Sequence, residues 1–426
     1  MIRAFAKLLY ICLVSGLIFN SFPQTNPWEK LQSPVNSTLR NLSFTDSLTG
    51  WIAGENGVIL HTSDGGISWE LQNSTLQTFI TSIFFSDDMN GWALSLKDVF
   101  PFNTIILKTN DGGNTWATED FQDVNALMRT IFFFDPLNGF IGGSYIAYSS
   151  DGGNTWTQAE VDSNMVSSYP VYEFNFYNRH SGYACGGRKD VAGVIWRTTN
   201  DGLNWSAQGI SSDEIFDVFV LDSLNAITLA GDPEGLFPIV NINTTNAGLN
   251  WTSENLPFFG LSFSIDFRTY NEGWSASGYK FLFTSDRGNT WNELETPDSS
   301  TIYDLQFTDA RNGYAVGDNG LILKLDPSLV NVEDETRLPN DFILYQNYPN
   351  PFNPTTRIQY AISSGQFVTL KVYNILGKEV AILVNEEKPA GEYEFFFNAP
   401  GLPSGIYFYE LEAGSFTETK KMILMK

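Results

Sequence analysis

Histidine and cysteine are nearly missing from this chain: two of each occur in 426 residues. Neither His61 nor His180 has a cysteine, histidine or carboxylate at metal-ligand spacing, so no metal site is expected and both read as surface or turn residues. Cys12 falls in an apolar stretch near the start, which leaves Cys185 alone, and one thiol makes no internal disulfide. Cys185 stands in Tyr183-Ala-Cys-Gly-Gly187 with no basic partner close in sequence, the setting of an inert buried thiol rather than a nucleophile. Long helical patterns are absent. So are a phosphate-cradling Gly-rich loop, a nucleophile elbow and an ordered calcium loop, and no cofactor is expected. Cations are scarce as well, with 24 Lys and Arg against 48 Asp and Glu and a net charge of −24. Such a surface repels phosphate backbones and anionic lipid, which excludes nucleic acid and membrane surfaces as partners.

What the chain has instead is repetition. A Gly-aromatic phrase recurs at Gly50-Trp51, Gly91-Trp92, Gly139-Phe140, Gly182-Tyr183, Gly273-Trp274 and Gly313-Tyr314, with a worn copy at Ala226-Ile227. A turn phrase, Ser/Thr-x-Asp-x-Gly-x-Thr-Trp, supplies Asp64 and Trp69, Asp111 and Trp116, Asp151 and Trp156, Asn200 and Trp205, Asn246 and Trp251, and Asp286 and Trp291. A period of roughly 40–50 residues means stacked supersecondary units. Each unit holds four short apolar runs joined by turn chemistry, as in Glu55-Asn56-Gly57, where Asn-Gly supplies the positive φ of a tight hairpin. The last unit stops without its Trp, and a spare copy, Pro27-Trp28-Glu29-Lys30-Leu31, lies at the front of the chain. The count balances if the N-terminal strand completes the last unit. The expected fold is all-β: a seven-bladed β-propeller closed in that way, which leaves only short, protected edges.

The turn phrase resembles the Asp box of neuraminidase-type repeats. The longer phrase from Gly50 to Trp69, repeated from Gly313 to Leu323, is similar to the photosystem II stability and assembly-factor family of propellers. The resemblance implies fold more than function, because Asp boxes occur in sialidases, xyloglucanases, receptors and non-enzymes alike. Asn200 and Asn246 replace Asp, and Asp201 and Ala247 replace Gly, which fits a structural role for the box. A second resemblance lies at the other end. Residues 342–426 alternate as a small antiparallel β-sandwich. Tyr348-Pro-Asn-Pro-Phe-Asn-Pro354, Val372-Tyr-Asn-Ile-Leu-Gly-Lys378, Leu402-Pro-Ser-Gly-Ile-Tyr407 and Lys421-Met-Ile-Leu-Met-Lys426 resemble the type A C-terminal sorting domain of the type IX secretion system. That resemblance implies export through the periplasm to the cell surface or beyond, with the type IX machinery as partner and surface polysaccharide as a possible tether. Residues 1–24, with Arg3, Lys7 and a short apolar run, read as a signal peptide. The expected division is therefore 1–24 signal, 25–326 propeller, 327–341 linker and 342–426 sorting domain, with no transmembrane segment in the mature chain.

Counting back four residues from each repeated Phe-x-Asp phenylalanine, or its equivalent, gives Arg40, Thr81, Arg129, Tyr172, Phe216, Phe263 and Tyr303. Each is expected to begin the innermost strand of its blade, at one mouth of the central channel. There they form either a recognition rim or the packing that fills the channel end. The hairpins between strands two and three are enlarged at residues 94–103, 186–194 and 231–238. They carry Lys97, Phe100, Phe102, Arg188, Lys189 and Phe237 toward the same mouth. The expected function is a non-catalytic protein- or glycan-binding scaffold with no catalytic residues assigned. The alternative is a secreted glycoside hydrolase of xyloglucanase or sialidase type, which needs two carboxylates facing each other across a sugar.

Overall fold

The computed structural model describes residues 26–329 and 342–425, except 98, 101, 163–165, 348, 364, 389–390, 400 and 415. The signal segment and the linker from residue 330 onward lie outside the described residues. Sheet one consists of Leu39–Phe44, Gly50–Gly54, Val58–Thr62 and Glu70–Asn73, antiparallel in chain order. Sheets two to six repeat it over residues 80–120, 128–158, 160–211, 219–259 and 264–295, sheet four gaining an extra parallel edge strand, Glu160–Val161. Sheet seven takes Ile302–Phe307, Gly313–Gly317 and Ile322–Leu325. Its fourth strand is Trp28–Lys30 from the front of the chain, with Trp28 opposite Leu325 and Lys30 opposite Leu323.

The repeated phrases follow from packing within and between these sheets. A Cβ built on Gly50 would lie 2.3 Å from the Phe44 ring, and one on Gly313 would lie 2.4 Å from Phe307. The phenylalanine ending the first strand thus lies flat over the glycine opening the second, where only hydrogen fits. The aromatic after that glycine reaches the next sheet. Trp51 stacks on Phe85 at 3.5 Å, Trp92 on Phe133 at 3.6 Å, and Tyr314 of sheet seven on Phe44 of sheet one at 3.9 Å. Its polar tip donates to a turn-phrase carbonyl there: Trp51 Nε1 to Gly112, Trp92 Nε1 to Gly152, and the Tyr314 hydroxyl to Gly65. The turn-phrase Trp packs against the same phenylalanine, Trp69 on Phe44 at 6.1 Å and Trp116 on Phe85 at 5.8 Å. Trp28 holds the matching place beside Phe307 at 5.9 Å and stacks on Phe281 at 4.7 Å, with 2% of its surface exposed.

The first strand of each sheet has one edge with no strand beside it, so its N–H groups need other acceptors. Several find them on side chains of the preceding sheet, while in sheet four the Phe174 N–H turns to its own Glu173 carboxylate (2.9 Å). Ile83 N donates to Asn41 Oδ1 (2.7 Å), Ile265 N to Asp217 Oδ2 (2.8 Å), Leu305 N to Ser264 Oγ (3.4 Å) and Leu42 N to Asp304 Oδ2 (3.0 Å). Two residues further along, Phe85 N donates to Ser43 Oγ, Phe307 N to Asp266 Oδ2 and Phe44 N to Gln306 Oε1. The pairs from Asp304 and Gln306 to sheet one match those from Asn41 and Ser43 to sheet two.

Residues 342–425 form two antiparallel sheets. One holds Ile343–Leu344, Thr355–Ile362 and Gly391–Asn398; the other holds Glu379–Lys388, Gln366–Asn374, Gly405–Ala413 and Phe416–Leu424. Ile358, Tyr360, Leu370, Val372, Tyr409 and Met422 fill the core between them. Glu379–Lys388 pairs antiparallel with Gln366–Asn374. Its register slips at Leu370/Lys371 and again at Val372/Tyr373, and such bulges break a period-two pattern.

Trp28→Ala is expected to destabilise the repeat region by about 3–5 kcal/mol, the range for a buried Trp truncated to Ala. Chemical denaturation reads this as a lower midpoint, and Trp28→Phe should recover much of it. An unchanged midpoint for Trp28→Ala would mean that Trp28–Lys30 contributes nothing to holding sheet seven.

Candidate functional site

The structure brings six of the seven rim residues into one continuous arc. Arg129 lies over the Tyr172 ring at 5.4 Å, and Tyr172 stacks on Phe216 at 5.5 Å. Phe216 meets Phe263 at 5.6 Å, Phe263 meets Tyr303 at 5.2 Å, and Arg40 lies 3.6 Å over the Tyr303 ring. Thr81 stays out of the arc, its hydroxyl donating to the Leu94 carbonyl at 3.4 Å. Two positions correct the expectation that each residue begins an inner strand: Phe216 and Phe263 precede strands Phe219–Val220 and Ser264–Phe267. At Phe216 the ladder starts late because the Thr228 hydroxyl takes the Asp217 carbonyl (2.6 Å) and Asp217 Oδ1 takes the Val218 N–H (2.7 Å). Arg129 is exposed, and the other arc members are half-buried. The Arg40 guanidinium stands 3.8 Å from the Glu55 carboxylate, and its buried Nε has no hydrogen-bond partner. Among the described residues no carboxylate is in ion-pair range of Arg129. The Tyr303 hydroxyl donates to Asp318 Oδ1 at 3.1 Å, and burial raises the pKa of both Tyr172 and Tyr303.

Around the arc, enlarged hairpins at residues 97–103 and 231–237 expose Phe100 by 86% and Leu236 by 73%, with Phe102 and Phe237 also exposed. The third expected insertion, residues 186–194, is not a loop but a longer ladder, Gly187 pairing with Gly193 and Arg188 with Ala192. These hairpins share the rim's end because each second strand runs antiparallel to the first, placing Leu39 opposite Gly54 and Val171 opposite Gly186. The hairpins of sheets four and five also gather Asp190, Asp232 and Glu234 with carboxylate oxygens within 4.8 Å of one another, and Lys189 pairs with Glu234 there. Sequence reasoning missed this group, whose members come from two separate insertions.

The Asp boxes occupy the opposite end, where their polar groups serve the turn itself. Asp64 Oδ1 accepts from Thr62 Oγ1 (2.8 Å) and Ser68 N (2.9 Å), and Oδ2 accepts from Ser68 Oγ (2.6 Å). Asp111, Asp151 and Asp286 repeat the set. Asn200 and Asn246 keep the backbone bond to Asn204 and Asn250. Asp201 and Ala247 adopt the positive φ of the glycines they replace, 62° and 57°. His61 stacks on Trp51 at 4.8 Å and burial lowers its pKa, while His180 Nδ1 lies 2.5 Å from Asp201. Cys185 is fully buried, and burial pushes its thiol pKa well up.

Below the rim lies a channel of about 400 Å³. Its walls include Asn41, Ser82, Glu173, Asp217, Ser264 and Asp304, a polar layer one residue inward from the rim positions. Burial pushes the Glu173 and Asp304 carboxyls up to about 7, the N–H groups of Phe174 and Leu42 pulling the other way. Burial, with the Glu173 charge second, raises Asp217. By contrast, hydrogen bonds from Ser68 hold Asp64 down at about 2, and those from Thr155 do the same for Asp151.

These two groups of acids act in opposite directions on stability. A carboxyl raised in the fold stabilises it while protonated and loses that contribution as pH rises through the folded value. Wild type is therefore expected to lose stability between about pH 4 and 7 as Glu173 and Asp304 ionise. Glu173→Gln, which can still accept from Thr130 and Phe174, should shrink that fall in Tm by a few degrees. Identical pH profiles for the two proteins would contradict the assignment.

Residues 20–123 match the family model described as Photosynthesis system II assembly factor YCF48, and residues 346–425 match that of the Secretion system C-terminal sorting domain. The Photosystem II assembly protein Ycf48 of Thermosynechococcus vestitus is 36% identical over 59 residues, 14% of this chain and 17% of that protein. The match thus spans about a sixth of that relative's length. A solved structure of YCF48 bound to D1 peptide aligns with TM-score 0.59 at 22% identity, over 72% of this chain and 99% of the other. The GH74 enzyme of Niastella koreensis aligns with TM-score 0.55 at 12% identity, over 92% of this chain and 74% of the other. At these identities the structural likeness speaks for the fold alone. The chain has a β-propeller fold similar to that of the Ycf48 assembly factors, followed by a segment similar to secretion-system C-terminal sorting domains.

Proposed function

We propose that this is an exported, non-catalytic propeller whose rim face binds an extended segment of another protein. In this reading the seven sheets are the blades of one ring, closed by Trp28–Lys30, and the division is 25–326 propeller, 327–341 linker and 342–426 sorting domain. The match over residues 346–425 supports type IX secretion, with the signal segment 1–24 delivering the chain to the periplasm first. The cell surface or the space outside it is then the destination.

The observation that carries the binding reading is the arc from Arg129 through Tyr172, Phe216, Phe263 and Tyr303 to Arg40. Arginine and aromatic side chains already held by stacking lose little entropy on binding, and they dominate hot spots at protein interfaces. Exposed Phe100, Phe102, Leu236 and Phe237 widen the surface around them. A protein segment is favoured over a glycan because a solved fold relative holds a peptide. The GH74 likeness is of fold alone. The Asp boxes and the channel carboxyls are engaged in turn and inter-sheet hydrogen bonds, which supports a structural role for them over that of a glycosidase pair.

Peptides selected from a random display library on the secreted chain test the rim. Arg129→Ala is expected to weaken such a peptide by about 10–30-fold while leaving Tm unchanged, because the side chain is exposed. Equal affinity in Arg129→Ala and Tyr172→Ala would overturn the reading. So would polysaccharide cleavage abolished by a single Asp→Asn change. Sorting has a separate test: truncation after Asp326 should leave the protein in the periplasm, and its appearance in the medium would refute the role given to residues 342–426.

A further inference from the structure

We infer that the channel is a second binding site, independent of the rim, which takes an organic cation: an ammonium or guanidinium group entering from the end where the Asp boxes lie. None of the seven rim residues contributes to the channel wall. The wall runs from the polar layer at Asn41, Glu173 and Asp304 down to Tyr177, Leu221, Thr269 and Tyr270, which follow the inner strands at the Asp-box end. The stacked arc is therefore a roof, and the approach is from the turn side. Ser363 of the C-terminal unit meets the Tyr177 hydroxyl at one edge of that side.

Three features of the cavity select the ligand. Its inner end gathers three carboxyls without a counter-charge: among the described residues no lysine, arginine or histidine lies in ion-pair range of Glu173, Asp217 or Asp304. Glu173 takes the Thr130 hydroxyl and the Phe174 N–H both on Oε1 (2.9 Å each), and its Oε2 accepts neither. These carboxyls have N–H and hydroxyl donors but no cation; burial disfavours their charged form, and a bound cation offsets that cost. Next, the middle of the wall carries rings. Phe84 meets Phe132 at 5.1 Å, Phe132 meets Phe176 at 5.0 Å, and Phe219 stacks on Phe267 at 4.9 Å. Such rings suit the methylene stem of a lysine- or arginine-like ligand and the rim of its charge. Lastly, the volume of about 400 Å³ is that of a small-molecule site rather than a bare-ion site. The channel carboxylates do not converge within 4.8 Å as Asp190, Asp232 and Glu234 do, so the layout fits an extended cation.

The same chemistry comes from a free amine or from a basic side chain of a protein, and calorimetric titration of the full chain separates the two. The free probes are butylamine and spermidine. The tethered probes are the capped tripeptide Gly-Lys-Gly and its norleucine counterpart. Saturable binding of either cationic class, at least 10-fold weaker in Glu173→Gln or Asp217→Asn, is the expected result. The norleucine peptide should not bind. Arg129→Ala should leave these affinities unchanged, which keeps this site apart from the rim. Asparagine and glutamine can still accept the N–H groups of Ile265 and Phe174, and Tm measured alongside identifies any variant that fails to fold. No saturable binding by any cationic probe, equal binding of the norleucine peptide, or undiminished affinity in folded variants would overturn the inference.

Discussion

The unpaired N–H groups of the innermost strands are the constraint around which this molecule is built. In each repeat sheet the first strand is an edge with no further strand beside it. Each of those edges would be a row of orphan donors. Here the donors are taken by side chains of the preceding sheet, at two levels, from Asn41 to Ile83, Asp217 to Ile265 and Asp304 to Leu42, and again from Ser43 to Phe85, Asp266 to Phe307 and Gln306 to Phe44. The residues that do this must be polar acceptors that reach the neighbouring sheet. The channel wall is therefore polar by structural necessity, in a core that is otherwise apolar.

That necessity explains why carboxyls appear in an enclosed space. Asparagine, serine and glutamine fill the acceptor role at some sheets, and aspartate or glutamate fills it at others. Where an acid does so, the strand N–H groups stabilise its charge while burial opposes it, and for Glu173 and Asp304 burial wins. The exposed Asp of the turn phrase meets the opposite balance: several donors, little desolvation and a depressed pKa. One acidic chain thus holds two populations of carboxyl whose contributions to stability run in opposite directions with pH.

The outer half of each unit was legible in the sequence and the inner half less so. Gly50-Trp51 and its copies could be read because each residue has a narrow steric duty: the glycine lies under Phe44, and the tryptophan spans to Phe85. The turn phrase was legible for the same reason, and its Asn200 and Asn246 copies show how little chemistry the turn demands. The rim could be placed by counting, although the late ladder at Phe216 could not, because it depends on the Thr228 hydroxyl taking a carbonyl eleven residues back. The polar layer escaped notice. Asn41, Ser82, Glu173, Asp217, Ser264 and Asp304 share a position on the channel wall but no side-chain type, so no phrase marks them. The carboxylates of Asp190, Asp232 and Glu234 meet only because two insertions face each other.

Rim and channel differ in how free each is to carry function. At the turn end each unit that carries the turn phrase must satisfy the same carbonyls and N–H groups, so its residues are held to one pattern. At the rim the hairpins answer to no such pattern; they extend as a ladder in sheet four and as loops in sheets two and five, and the only shared duty is to roof the channel. A stacked roof does not require arginine. Arg129 is exposed and has no carboxylate in range among the described residues, and Arg40 keeps a buried Nε without an acceptor, so both guanidiniums retain donors beyond what packing uses. The acids beneath the roof show the complementary excess: they accept N–H and hydroxyl donors, yet no cation is in ion-pair range of them among the described residues. Donors to spare within the stacked arc, and uncompensated carboxyls one residue inward from it, are more than packing of the axis alone requires.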